Sequence, residues 1–159
     1  MKADFIEGDA FHRYDRAAMK ARMAEEEAAG NHEFSHFSPD ANILETLQDI
    51  FAEYGRKGTG RTRHYVHDDA EAAVYGAPQG TFSAWQDFAG DSDLLFYEGL
   101  HGCVRTDTLD LASHVDLKIG VVPVINLEWI QKIHRDKASR GYSTLSLIHI
   151  SEPTRLRRI

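Results

Sequence analysis

Phe5-Ile6-Glu7-Gly8-Asp9-Ala10-Phe11-His12-Arg13-Tyr14-Asp15-Arg16 is the stretch that decides the fold. A short apolar run ends in an acid, and side chains able to bind phosphate follow at once. In open α/β sheets, ligands bind beyond the carboxyl ends of the strands. A carboxylate at that edge, beside His and Arg, suits a base that takes a proton from a substrate already carrying phosphate. The plainer alternative is a strand-to-helix turn with solvated charges.

On the C-terminal side, Asp15 stands where a helix over Arg16–Ala29 needs its N-cap, and Gly30 follows its end. Ser38-Pro39 opens a second helix, in which Ile43, Leu44, Leu47, Ile50, Phe51 and Tyr54 recur at helical spacing up to a stop at Gly55. Residues 56–90 read as loop with short elements. Leu94-Leu95-Phe96-Tyr97 is a buried-strand run, and Leu109–His114 has room for a helical turn or two. Leu117–Val122 reads as a further strand ended near Pro123, and Asn126 as the cap of a helix bearing Leu127, Trp129, Ile130 and Ile133. Strands near Lys2–Glu7, Leu94–Glu98 and Leu117–Val122, separated by helices, predict an α/β fold with a largely parallel sheet. No internal repeat is visible.

The chain has 159 residues, enough for one domain with a sizeable core, and is 42% hydrophobic and 27% charged, which reads as soluble and globular. A net charge of -7 argues against a nucleic-acid or anionic-membrane partner, so anionic substrates must be met by local basic clusters. The single cysteine, Cys103, excludes an intrachain disulfide and fits a reducing compartment. No apolar run is long enough to span a bilayer and no signal peptide is visible, so a cytoplasmic location is expected.

Two motifs mislead. His32-Glu33-Phe34-Ser35-His36 fits H-E-x-x-H, yet zinc chemistry needs both histidines on one helix face, and Gly30-Asn31 and Ser38-Pro39 crowd the segment on both sides. Gly55-Arg56-Lys57-Gly58-Thr59-Gly60-Arg61-Thr62 is like a phosphate loop with Arg for Lys, but a helix precedes it and an extended stretch follows, the reverse of what such a loop needs. A flexible basic loop is the expectation there.

Ile6–Arg13, Thr62-Arg63-His64-Tyr65-Val66-His67-Asp68-Asp69-Ala70-Glu71-Ala72-Ala73, Leu94-Leu95-Phe96-Tyr97-Glu98-Gly99-Leu100-His101-Gly102 and the run Asp116–Asp136 closely resemble the bacterial type of phosphoribulokinase. The resemblance covers residues 1 to about 144. It implies an incomplete P-loop kinase-like three-layer α/β fold, and a parent enzyme that uses ATP and Mg²⁺ to phosphorylate the C1 hydroxyl of ribulose 5-phosphate in carbon fixation. By the same resemblance, Asp9 is the catalytic base, with Lys132 and Arg135 as further catalytic groups. His12, Arg16, Tyr65, His67 and Arg140 bind substrate, and Lys20, one turn beyond Arg16, adds a charge. Glu98, an acid ending an apolar strand, is assigned to Mg²⁺, and Asp136 is its partner in metal binding or orientation. The resemblance also implies a homo-oligomeric parent with NADH and adenylate effectors.

The family opens with a strand and a Gly-rich phosphate loop that precede the segment matching Met1, so the resemblance leads to the expectation of an internal fragment, inactive by itself. Leu145-Ser146-Leu147-Ile148-His149-Ile150-Ser151-Glu152-Pro153-Thr154-Arg155 resembles a translated sequencing adapter. Residues 1–144 are therefore expected to be a partial kinase domain and 145–159 an extraneous tail. The alternatives are a uridine-kinase-like relative of the same fold and a folded piece without catalysis.

Overall fold

The computed structural model describes residues 1–122, 124 and 130–134. Residues 1–118 and 119–159 form two separate units. In the first, β1 (Ala3–Glu7) pairs in parallel with β4 (Leu94–Glu98), in a register that sets Phe5 beside Phe96 and Glu7 beside Glu98. Alternation along β1 sends Ile6 into the core, completely buried, and leaves Phe5 on the other face. On that face Phe5 and Phe96 stack at 5.4 Å, half exposed. Just beyond the strands, Gly8 and Gly99 let the two backbones converge. A Cβ on Gly8 would lie 2.9 Å from the Gly99 Cα.

After β1 the chain makes one turn of 3-10 helix, Gly8–Phe11, and then enters α1 (Arg16–Ala28). The Asp15 carboxylate accepts the Ala18 N–H at 2.8 Å, the expected cap. The second expected helix is split. Pro39–Ala41 is a 3-10 turn, Asn42 is extended, and α2 runs over Leu44–Lys57. Asn42 interrupts it because its buried side chain bonds non-locally, as described below. Gly55 does not stop α2, since a glycine inside a helix costs only about 1 kcal/mol. The stop is Gly58, whose φ of 67° only glycine adopts readily, and whose N–H closes on the Tyr54 carbonyl at 2.8 Å.

α2 buries Leu44, Leu47, Ile50 and Phe51 against Ile6, Ala10, Phe11 and Leu111, the last from a 3-10 turn over Leu111–His114. Residues 61–66 and 80–87 form an antiparallel arm. It consists of β2 (Arg61–Thr62) with β3 (Gln86–Asp87), then bonds between Val66 and both Gly80 and Thr81, with α3 (Asp69–Tyr75) at its tip. The arm docks on the start of α1 through Arg16 N–H to the Gly80 carbonyl, 2.8 Å.

One expected strand does not form. Residues 117–122 have no regular structure, and Leu117, Ile119, Val121 and Val122 are exposed. Their β-branched composition favours a strand, but a strand exists only where a neighbour takes up its backbone N–H and C=O groups, and no described strand lies alongside. Of the expected helix near 127–139, residues 130–134 are helical and the rest lies outside the described residues, as does the tail at 145–159. Residues 32–36 form turns rather than a helix, so the two histidines of the H-E-x-x-H match do not share a helix face.

Leu47→Ala should lower stability by about 2–5 kcal/mol in urea unfolding, because Leu47 is fully enclosed. Phe96→Thr should cost about 1 kcal/mol or less, the worth of its ring contact, and should reduce binding of a hydrophobic dye to the exposed sheet face.

Candidate active site

The parallel register places the carboxyl ends of β1 and β4 side by side, so Asp9, two residues past β1, and Glu98, the last residue of β4, occupy one edge of the sheet. The 3-10 turn returns the chain so that His12 faces Asp9, with Nε2 3.4 Å from Oδ1. The arm brings His67 to the other oxygen, Nε2 to Oδ2 at 3.2 Å. One carboxylate is thus held between two imidazoles. Tyr65 stands edge-on to both rings, at 6.0 Å from His12 and 5.1 Å from His67.

Each histidine is held from behind. Asn42 Oδ1 lies 2.8 Å from His12 Nδ1. Glu71, in the first turn of α3, lies 3.1 Å from His67 Nδ1 and also accepts the His67 backbone N–H at 2.7 Å. Arg63 ties arm to turn, donating from Nε to the Ala10 carbonyl at 2.7 Å and from Nη2 to the His12 carbonyl at 2.9 Å. Its guanidinium lies over Phe82 at 3.7 Å and over Trp85 at 4.9 Å. Arg16 donates to the His67 carbonyl at 3.2 Å, and the rest of its exposed fork bonds to no described residue. Arg13 is spent on the Asp40 and Asn42 carbonyls.

Asp9, His12, Tyr65, His67 and Arg16 therefore converge. Lys20 is exposed one turn further along α1. The Glu98 side chain is exposed and bonds to no described residue, which leaves its carboxylate oxygens available to a hard cation. Mg²⁺ keeps most of its waters and takes one or two carboxylates plus substrate phosphates, so a single available acid fits it. No cluster of three metal-ligating side chains occurs among the described residues. Lys132 is helical and half-buried in the second unit, and Arg135, Asp136 and Arg140 lie outside the described residues. Sequence reasoning missed Asn42, Arg63 and Glu71. Their contacts reach 30, 53 and 51 residues, and 4 in the case of Glu71, which only the His67 assignment makes meaningful.

Hydrogen bonding from His12, supported by His67 and opposed by burial, holds the Asp9 carboxyl at about 2, below its ordinary 3.8. Burial works against a charged His12, but the bonds to Asp9 and Asn42 and the Asp9 charge outweigh it, and its pKa lies above the ordinary 6.5. His36, whose ring centre is 5.6 Å from that of His12, is pushed the other way, first by burial and then by the charge of His12. Burial also lifts the Tyr97 phenol beneath the glycine pair to about 12.

The pair should leave a signature in stability. The lowered Asp9 value contributes above 3.8 and is lost as pH falls toward 2; the raised His12 value contributes below 6.5 and is lost as pH rises through it. The urea midpoint of the wild type should exceed that of Asp9→Asn most between pH 4 and 6, with the gap narrowing on both sides. A pH-independent gap would contradict the pairing.

The family model for the Phosphoribulokinase / Uridine kinase family matches residues 1–155. A phosphoribulokinase of Sinorhizobium medicae (strain WSM419) is 70% identical over 144 residues, which are 91% of this chain and 49% of the relative. Phosphoribulokinase 2 of Cereibacter sphaeroides is 62% identical over the same length, again 91% of this chain and 49% of the relative. A solved phosphoribulokinase from Rhodobacter spheroides superposes with a TM-score of 0.76 at 58% identity, over 90% of this chain and 49% of that one. The chain thus spans about half the length of these relatives. The fold is α/β of the P-loop kinase type, with helices beside a parallel sheet. With fold and sequence in agreement over nearly its whole length, this chain belongs to the phosphoribulokinase/uridine kinase family.

Proposed function

We propose that this chain carries the acceptor half of an ATP-dependent kinase that phosphorylates the C1 hydroxyl of ribulose 5-phosphate. The observation that carries the reading is the Asp9 carboxylate, held ionised between His12 and His67 at the carboxyl ends of two parallel strands. In phosphoryl transfer the protein supplies positioning and charge rather than covalent chemistry. A carboxylate held near 2 is a weak base in the resting site, but it is always ionised at neutral pH and accepts a hydrogen bond from the attacking hydroxyl. Substrate entry replaces an imidazole contact with that hydroxyl, which aligns its oxygen; as that oxygen bonds to the γ-phosphorus of ATP, the bond from phosphorus to the departing ADP oxygen breaks and the hydroxyl proton passes to Asp9.

His12 and Arg16, with Lys20 and Arg140, are assigned to the sugar phosphate. The open fork of Arg16 suits paired phosphate oxygens. Tyr65 and His67 border the sugar. Lys132 and Arg135 are assigned to charge developing on the transferred group, and Glu98 with Asp136 to Mg²⁺. Those two carboxylates would hold the Mg²⁺, which would offset charge on the donor phosphates. The relatives' shared name, at 56% to 70% identity, favours ribulose 5-phosphate over the nucleoside of a uridine-kinase-like relative. Homo-oligomerisation and effector response of the parent rest on the family resemblance. The assignment of 1–144 as kinase domain and 145–159 as tail rests on the adapter-like sequence of 145–155; relatives align over 144 residues, while the family model extends to residue 155.

The 159-residue polypeptide should not turn over ATP. Backbone N–H groups of a phosphate loop normally cradle the β- and γ-phosphates, and here the Gly55–Thr62 segment joins helix α2 to strand β2 instead. Expressed alone, residues 1–144 should release no ADP with ribulose 5-phosphate and Mg²⁺. Fused behind a family-type strand and phosphate loop, they should become active, and Asp9→Asn should then lower turnover by roughly 10²–10⁴-fold. Turnover by the unfused chain, or an Asp9→Asn fusion as active as its parent, would overturn the proposal.

A further inference from the structure

We infer that Asn42 is a positioning residue for His12, whose buried amide fixes the ring as the Nδ1–H tautomer and so delivers Nε2 to Asp9. Asn42 is 1% exposed and sits opposite His12 in an antiparallel bridge. Both hydrogens of its Nδ2 are committed, to the His36 carbonyl at 3.0 Å and the Ser38 carbonyl at 2.9 Å. Turning the amide over would set its oxygen against two carbonyl oxygens, so its orientation is settled by the network. The atom 2.8 Å from His12 Nδ1 is therefore Oδ1. Oδ1 can only accept, so Nδ1 must carry the hydrogen.

The consequence appears at the other nitrogen. With Nδ1–H fixed, a neutral His12 presents a lone pair at Nε2, 3.4 Å from the Asp9 carboxylate. Only the imidazolium can donate there. Asn42 thereby makes His12 a partner of Asp9 that binds only as a cation, and it leaves the proton that comes and goes on the nitrogen facing Asp9. The charged and titratable groups around the ring are few. Asp9 faces Nε2, and His67 takes the second Asp9 oxygen. His36 lies behind the ring, Tyr65 stands at its edge, and Arg63 donates to the His12 carbonyl. None of these supplies an acceptor to Nδ1 in place of Asn42. That the cation serves a sugar phosphate rests on the kinase reading; the tautomer does not.

The test is a two-bond ¹H–¹⁵N correlation spectrum of the intact 159-residue chain, histidine-labelled, followed through pH without substrate. His12→Gln identifies the His12 signals by their loss. At the alkaline end, His12 Nδ1 should show the shift of a protonated nitrogen and Nε2 that of a bare one, the reverse of the form that histidine favours in water. Asn42→Ala should shift the neutral ring toward Nε2–H and lower the His12 pKa. A wild-type ring that is Nε2–H when neutral overturns the inference whether or not the variant folds. So does a folded Asn42→Ala chain that keeps Nδ1–H. Because no substrate is present, either failure leaves the kinase reading to its own test.

Discussion

The parallel pairing of β1 with β4, Glu7 beside Glu98, is the constraint on which the rest of the site depends. Parallel strands point the same way, so whatever follows one strand lies next to whatever follows the other. Here that brings the Asp9 turn and Glu98 to one edge. The Gly8–Gly99 approach keeps the two exits close, and a side chain at either position would collide with the opposite backbone. Ile6 and Phe11, on either side of the turn, are anchored in the α2 core. Asp9 is thus exposed chemistry on a rigid base.

Around that base, three segments remote in sequence are tied to the turn by polar contacts. Asn42 meets it from the break before α2, Arg63 from the near part of the arm, and His67 from its tip. Arg63 has its charge spread over Phe82 and Trp85 and its hydrogens on two carbonyls, which makes it a strut more than a ligand. Carbonyls 10 and 12 lie one and three residues after Asp9, so the strut braces the turn that leads away from it. The site's charge state follows from its shape. One carboxylate between two imidazoles is held ionised well below its ordinary range, and the bonds to Asp9 and Asn42 raise the His12 pKa above its ordinary value against the effect of burial.

What was legible in the sequence was what local chemistry dictates. The β1 and β4 runs, the Asp15 cap and the apolar stripe of α2 appear where the sequence pattern placed them, but β4 is not the buried strand expected: Leu94 is 42% and Phe96 48% exposed. Gly55 misled because a glycine inside a helix resembles one that ends it; only the left-handed backbone of Gly58 distinguishes them. Residues 117–122 misled because strand composition does not supply a strand partner. The arm was illegible, since its pairing joins residues about twenty apart through irregular sequence. Asp9, His12, Tyr65 and His67 were named through family resemblance, not spacing. Asn42 looked like an ordinary pre-helix residue, and nothing near it in sequence announces the histidine it faces 30 residues away.

The central claim is that this edge of the sheet receives a phosphorylated sugar. The most direct measurement is chemical-shift mapping of the labelled 159-residue chain titrated with ribulose 5-phosphate, with inorganic phosphate as the comparison. The account predicts saturable shifts confined to the Asp9–Arg16 turn and the Tyr65–His67 arm, stronger than those from phosphate and lost in His12→Ala. Equal, non-saturating shifts from both ligands, or shifts centred elsewhere, would contradict it.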